Sequence, residues 1–268
     1  MVMKFRVERE VLAEALGAAA RVASTRNNAM PALSGVKLEV VGDQLTLSCT
    51  DNDLSVQFVL PVGGQADGVV VASAKLLSDI VRAGADGKVT FESAGEEVHI
   101  SSGRAQTTVA TFAASDFPHI ALASAPPVTL SAPLLGEALR QVVRAASSDM
   151  QRLPLTGVLM SAEPEGLRLV ATDSYRLAVR DLPGTNVLGH GQKVVIPSRA
   201  LGELQRLLNQ EIDQHPLCYM QYHHLQSKLQ HLQLSALVLQ KKLAIPYLQR
   251  HQQHKLSVCH PLLKVQAC

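Results

Sequence analysis

Tryptophan is absent from the 268 residues, and five Phe and four Tyr leave few rings on which nucleic-acid bases could stack. No apolar run approaches the roughly 18 residues a membrane-spanning helix needs, which excludes an integral helical membrane protein. Cysteine is scarce too. Cys49, Cys218, Cys259 and Cys268 show no close spacing, and Met1-Val2-Met3-Lys4-Phe5-Arg6 is charged and alternating, unlike a secretory signal. Reduced thiols and a cytoplasmic location are therefore expected rather than a disulfide frame.

Catalytic signatures are missing as well. Gly63-Gly64 to Gly68 lacks the Lys and the following helix of a phosphate-binding loop. Ser174 beside Asp173 has no nucleophile-elbow context. His223-His224, His251, His254, Cys259 and His260 lack the close paired spacing of a zinc site. No catalytic residue, metal or cofactor is expected, and no enzyme activity.

What is present is unevenly distributed. Residues 210–268 hold 11 Gln, seven of the ten His, three of the four Cys and none of the 17 Gly. Only Glu211 and Asp213 are acidic there, against six basic residues, so this stretch nets +4 and the first 209 residues net −2. The reading is a well-formed body with a compositionally foreign tail.

The body repeats itself. Leu12-Ala13-Glu14-Ala15-Leu16 matches Leu135-Gly136-Glu137-Ala138-Leu139, and Leu33-Ser34-Gly35-Val36 matches Leu155-Thr156-Gly157-Val158. Thr50-Asp51 matches Thr172-Asp173, and Val71-Ala72-Ser73-Ala74 matches Ile196-Pro197-Ser198-Arg199, all in one order at an offset of 122 to 125. A period that long means two copies of a domain rather than a solenoid. Each copy opens with helical spacing (Val11, Leu12, Ala15, Leu16, Ala19; Leu135, Leu139, Val142, Val143, Ala146) and continues with two-residue alternation such as Val36, Leu38, Val40 and Leu45, Leu47, Cys49. Second helices are expected near 73–83 and 198–209, and three further strands follow in the first copy. Asp51 and Asp173, each after a Thr at a strand end, read as turn residues.

An α+β fold follows, each domain built of two βαβββ units. The first domain is expected over 1–120, a linker over 121–128, and an incomplete second domain over 129–209. In the second copy the last three strands should occupy about 212–245, where alternation is missing. The tail over 210–268 is expected to be helical or disordered, with Leu225, Leu229, Leu232, Leu239 and Leu243 suggesting a helix from about Leu217 to Ala244.

Charge location points to a partner. The four helical stretches (9–26, 73–83, 134–152, 198–209) carry ten basic and six acidic residues, while the rest of the first 209 carries nine and fifteen. Arg140 and Arg144 are four apart, and Lys75 with Arg82 and Arg199 with Arg206 are seven apart, so each pair shares a helix face. Cationic helices against acidic sheets and loops suit a polyanion bound through its phosphates, without sequence readout.

Met3-Lys4-Phe5, the helix from Glu8, Ser115-Asp116-Phe117-Pro118, Ala171-Thr172-Asp173-Ser174-Tyr175-Arg176-Leu177-Ala178-Val179 and Ile196-Pro197-Ser198-Arg199 resemble the bacterial DNA polymerase III beta subunit family of replicative sliding clamps. The resemblance runs from Met3 to about Asn209. It implies the DNA-clamp fold, with helices on one face and antiparallel sheets outside. It also implies a processivity factor: a homodimer ring around double-stranded DNA, three domains per chain, tethering the polymerase III alpha subunit and the clamp loader. Carried over residue by residue, it places Arg26, Asn27, Lys75, Arg82, Arg140, Arg144, Arg152 and Arg199 toward DNA. Leu155, Thr172, Ser174, Tyr175, Arg176 and Leu177 fall on the family's partner-peptide pocket. Two readings of different classes stand: a DNA-encircling tether, or a truncated or frame-altered clamp product without ring function. Since a head-to-tail interface lacking its partner face cannot close, this chain alone is not expected to act as a processivity clamp.

Overall fold

The structure is a computed structural model. It describes residues 2–23, 30–120, 127–185, 188 and 191–208, together with the backbone of four strands beyond residue 208. Two compact units divide the chain at Ala121/Leu122, with 214–219 belonging to the first and the residues from Met220 on to the second.

In the first unit, β1 (Lys4–Glu8) buries Phe5 and Val7 and turns Arg6 and Glu8 outward, the alternation of a strand with one covered face. Helix α1 (Arg9–Val22) buries Leu12, Ala15, Leu16, Ala19 and Val22, spaced by threes and fours. β2 (Gly35–Val41), β3 (Gln44–Thr50) and β4 (Leu54–Pro61) form an antiparallel meander, followed by the short β5 (Gly63–Ala66). β6 (Gly68–Ser73) leads into α2 (Ala74–Ala83), whose first turn is capped by Ser73 Oγ accepting from Leu76 N at 3.4 Å. β7 (Lys88–Ala94), β8 (Glu97–Ser102) and β9 (Ala105–Phe112) form the second meander.

The two βαβββ units exchange their first strands. β1 pairs antiparallel with β7, and β6 pairs antiparallel with β2. The resulting order is β4-β3-β2-β6-β9-β8-β7-β1-β5, with β6 and β9 joined only at Val71–Phe112 and Ala72–Thr111. Phe5 of β1 stacks on Phe91 of β7, centroids 5.1 Å apart, and both are fully buried. Helices α1 and α2 pack against each other.

The second unit repeats the plan. β10 (Pro127–Ser131) precedes α3 (Ala132–Val142), and β11 (Gly157–Glu163), β12 (Gly166–Thr172), β13 (Leu177–Pro183) and β14 (Lys193–Pro197) lead to α4 (Ser198–Leu208), which packs on α3. The order β13-β12-β11-β14 reproduces β4-β3-β2-β6. The repeated glycine has a steric reason. A Cβ on Gly35 would stand 2.9 Å from Val71 Cγ1, and one on Gly157 would stand 2.5 Å from Val195 Cγ1, so each strand start must be bare to meet its partner.

The structure departs from the sequence reading in two places. The helix expected over 134–152 stops at Val142; Val143–Ala145 is a 3₁₀ turn and Met150–Thr156 a second 3₁₀ stretch, with Arg152 at non-helical φ −109° and ψ 56°. Consecutive Val142 and Val143, then Ser147, Ser148, Asp149 and Pro154, are poor helix interior, which outweighs the helical spacing. Arg144 and Arg152 are therefore not on the α-helix with Arg140.

The second departure is the tail. Where a helix was expected over 217–244, β15 (Leu217–Tyr222) and β16 (Leu237–Lys241) are strands, and β17 (Lys255–Cys259) and β18 (Lys264–Ala267) follow. β16 pairs parallel with β18, and β17 pairs antiparallel with β10 over five residues. An edge strand such as β10 presents a row of unpaired N–H and C=O groups, and a strand satisfies them where a helix does not. Leu225, Leu229, Leu232 and Leu243 lie outside the described residues.

Candidate nucleic-acid and peptide-binding surfaces

The helices turn one face inward and the other to solvent, and the exposed faces carry the cations. Lys75 and Arg82 of α2 are exposed and have no ion pair or hydrogen bond among the described residues; the same holds for Arg144 on its 3₁₀ turn. Arg199 stands exposed in the first turn of α4. Arg140 is exposed but occupied: its Nε and Nη2 donate to the two carboxylate oxygens of Glu137 at 2.7 and 2.6 Å. Those hydrogen bonds, together with one from Gln141, hold the Glu137 carboxyl down at about 2. Arg206, two residues from the end of the described body, is likewise paired with Glu203. The sequence placed ten cations on these stretches; the structure neutralises part of them locally and leaves Lys75, Arg82 and Arg144 open. Arg26 and Asn27 lie outside the described residues.

The second surface is the loop between β12 and β13. Asp173 Oδ1 accepts from the backbone N–H of Tyr175 and of Arg176, both at 3.0 Å, and its Oδ2 meets Arg176 Nε at 3.0 Å. Those backbone donors, first that of Arg176, hold the Asp173 carboxyl below its ordinary range. Thr172 Oγ1 donates to Arg176 O at 2.7 Å and accepts from Ser174 N at 3.1 Å. Ser174 sits at φ +80°, an unusual conformation for a non-glycine residue, held by this ring of hydrogen bonds.

The first domain has the same device. Asn52 stands at φ +76°, its N–H donates to Thr50 Oγ1 at 3.1 Å, and Asp51 Oδ1 accepts from Asp53 N and Leu54 N at 3.1 and 2.8 Å. The repeated Thr-Asp is thus a turn-building pair in both copies. What differs is its dressing. Ser55, paired with Thr50, is buried, whereas Leu177, its counterpart paired with Thr172, is 65% exposed and Tyr175 is 93% exposed.

Ordinary core packing therefore does not explain Leu177. Leu155 is half-buried, and its carbonyl accepts from Ser147 N at 2.8 Å. Arg152 bonds Asp149 Oδ2 at 3.1 Å and Ser174 Oγ at 3.3 Å, which ties the 150–156 stretch to the loop. Arg152 thus belongs beside the loop residues. Three exposed apolar residues flank this site without having been singled out from sequence: Met150, Leu153 and Val179. Val179 is two residues from Leu177 on a strand and so shares its face, a signal that period-two reading could have found. Met150 and Leu153 carried no such signal, because their stretch reads as helix. Among the described residues no group of three His, Cys, Asp or Glu side chains could hold a metal ion, and no helix is long and apolar enough to cross a membrane.

A duplicated βαβββ domain with paired cationic helices on one side of its sheets and a rigid, apolar-tipped loop defines a binding scaffold of the clamp class. Residues 3–121 match the N-terminal domain, and residues 129–240 the central domain, of the DNA polymerase III beta subunit. The chain belongs to that family. The beta sliding clamp of Micrococcus luteus is 31% identical over 207 residues, 77% of this chain and 66% of the relative. That of Streptomyces coelicolor is 36% identical over 181 residues, 67% of this chain and 47% of the relative. The crystal structure of the Bartonella birtlesii sliding clamp bound to griselimycin superposes with a TM-score of 0.73 at 30% identity, covering 83% of this chain and 62% of that one. The chain thus spans about half to two thirds of the length of these relatives, and the central-domain match continues to residue 240, past the change in composition at 209.

Proposed function

We propose that this chain is a non-catalytic, DNA-contacting part of a replicative clamp. It holds double-stranded DNA loosely through the exposed helix faces, and it offers the Thr172–Leu177 loop to peptides of replication proteins, the polymerase III alpha subunit and the clamp loader among them. Its place of action is the cytoplasm, and its domains run over 1–120 and 129–209, with the stretch 210–268 as a tail. The observation that carries this reading is the set of open cations Lys75, Arg82 and Arg144 on the helical side of a clamp-family fold. Point charges without aromatic platforms contact phosphate and do not discriminate bases.

Salt dependence tests it. Affinity for a mixed-sequence duplex should fall steeply between about 50 and 200 mM salt, and Arg144→Glu should weaken binding to the same extent on any duplex. Loss that depends on base sequence, or binding that is indifferent to salt, overturns the reading.

A further inference from the structure

In the first domain β1 pairs with β7 along its whole length, from Lys4 opposite Glu92 to Glu8 opposite Lys88. In the second domain β10 pairs with β17 along its whole length, from Pro127 opposite Cys259 to Ser131 opposite Lys255. Both pairings are antiparallel and five residues long, and both first strands run straight into a helix, β1 into α1 and β10 into α3. The residue types agree as well. Phe5 stands opposite Phe91 and Val7 opposite Val89; at the same two positions Val128 stands opposite Val258 and Leu130 opposite Leu256. The positions between them hold Arg6 against Thr90 in one pairing and Thr129 against Ser257 in the other. Alternation of this kind sets one face of a strand pair apart from the other, and Leu130 is buried as Phe5 and Val7 are. Only the connection differs. Four residues separate α2 from β7, but 46 separate α4 from β17.

A strand closed over a long connection is easier to lose than one closed over a short turn, because the longer loop costs more entropy to close. Without β17, β10 would present a row of unpaired N–H and C=O groups, the template on which another strand pairs. We infer that Lys255–Cys259 is a detachable cover strand: it takes in the second domain the place that β7 holds in the first, closing the β10 edge from within the same chain, and its release leaves that edge open to the same strand of a second copy. Exchange of one strand between identical chains re-forms the same pairing, so it costs little once the cover is off. This goes beyond the DNA reading and does not depend on it. It also gives part of the compositionally foreign tail a structural task, which the Gln and His content of its surroundings hides in a linear reading.

The test is a cross-link on the full chain. Facing residues of an antiparallel pair have Cα atoms about 4.5–5.5 Å apart, within reach of a disulfide. Pro127→Cys is made in a chain carrying Cys218→Ser and Cys268→Ser, which leaves Cys259 and the buried Cys49. Mild oxidation of dilute protein should join the new thiol to Cys259 within one chain, and Thr129→Cys, two residues out of register, should give about tenfold less. A bond between two chains instead of within one overturns the cover, and no bond, or equal yields from the two variants, overturns the register. Hydrogen exchange supplies the second readout. Leu256→Asp with Val258→Asp in the full chain should speed exchange of the amides of 128–131 about tenfold or more while leaving those of 4–8 unchanged. A synthetic peptide with the sequence of residues 253–261 should then restore protection to 128–131. Exchange there that the two Asp substitutions do not alter overturns the cover, and a peptide that restores nothing overturns the claim that the released edge accepts the strand from a second copy. The cross-link is read on β17 with its own sequence, so it stands even where the Asp variant unfolds the second domain.

Discussion

At the scale of single residues, local hydrogen bonds decide which charges are available. The Arg140 guanidinium drives Glu137 from the ordinary 4.5 to about 2, and Asp149, Asp173 and Asp181 are also lowered, by backbone donors or by Arg168. A carboxyl whose folded pKa lies below its unfolded value stabilises the fold above the unfolded pKa, and that contribution is lost as pH falls toward the folded one. Melting temperature should therefore decline as pH drops from about 4.5 toward 2, and Glu137→Gln should flatten that decline. A pH series of thermal unfolding on both proteins checks this; an unchanged slope would show the Glu137–Arg140 pair to be idle. The same substitution releases Arg140, so DNA affinity should rise. Cys49 is a different case. Burial pushes its thiol up to about 12, and its Sγ donates to Ala19 O at 3.3 Å. It should resist alkylation at about pH 8 while the protein is folded and label only on unfolding, read by site-resolved mass spectrometry.

At the scale of elements, the exchange of first strands fastens the first domain. β1 belongs in sequence to one βαβββ unit and in space to the other, and the buried rings of Phe5 and Phe91 stack across that junction. Replacing Phe5 by Ala should cost about 3–5 kcal/mol, seen as a lowered midpoint in chemical denaturation, with Phe5→Leu costing far less. A loss under about 1 kcal/mol would mean that the junction is held elsewhere. In the second domain the equivalent first strand, β10, meets β17 from the far end of the chain. The long sequence separation of that pairing makes it the slower to form.

At the scale of the whole molecule, topology is separable from affinity. A clamp stays on DNA because the ring is closed, whereas the contacts inferred from Lys75, Arg82 and Arg144 are weak and salt-sensitive. This chain spans 47–66% of the curated relatives named above. By itself it should slide from nicked circular DNA at about 200 mM salt as readily as from the same DNA linearised, after incubation with a clamp loader. Salt-resistant retention on the circle, released by linearisation, would show ring closure.

Much of this protein was legible in its sequence. The 122-residue repeat, the βαβββ order and the Thr-Asp turns follow from spacing and backbone preference, which act over a few residues and survive in a linear reading. Family membership followed from motifs such as Ala171 to Val179. Tertiary structure decided the rest. It ended α3 at Val142, paired Arg140 with Glu137, and put Arg152 against Ser174, because side-chain partners and 3₁₀ turns depend on neighbours that periodicity does not record. It made strands of Leu217–Tyr222 and Leu237–Lys241, where leucine spacing alone reads as helix. It also exposed the apolar Leu177 while burying its polar repeat counterpart Ser55, a difference that two similar turns cannot encode. Burial is a property of what packs against a residue, and that is fixed only when distant segments meet.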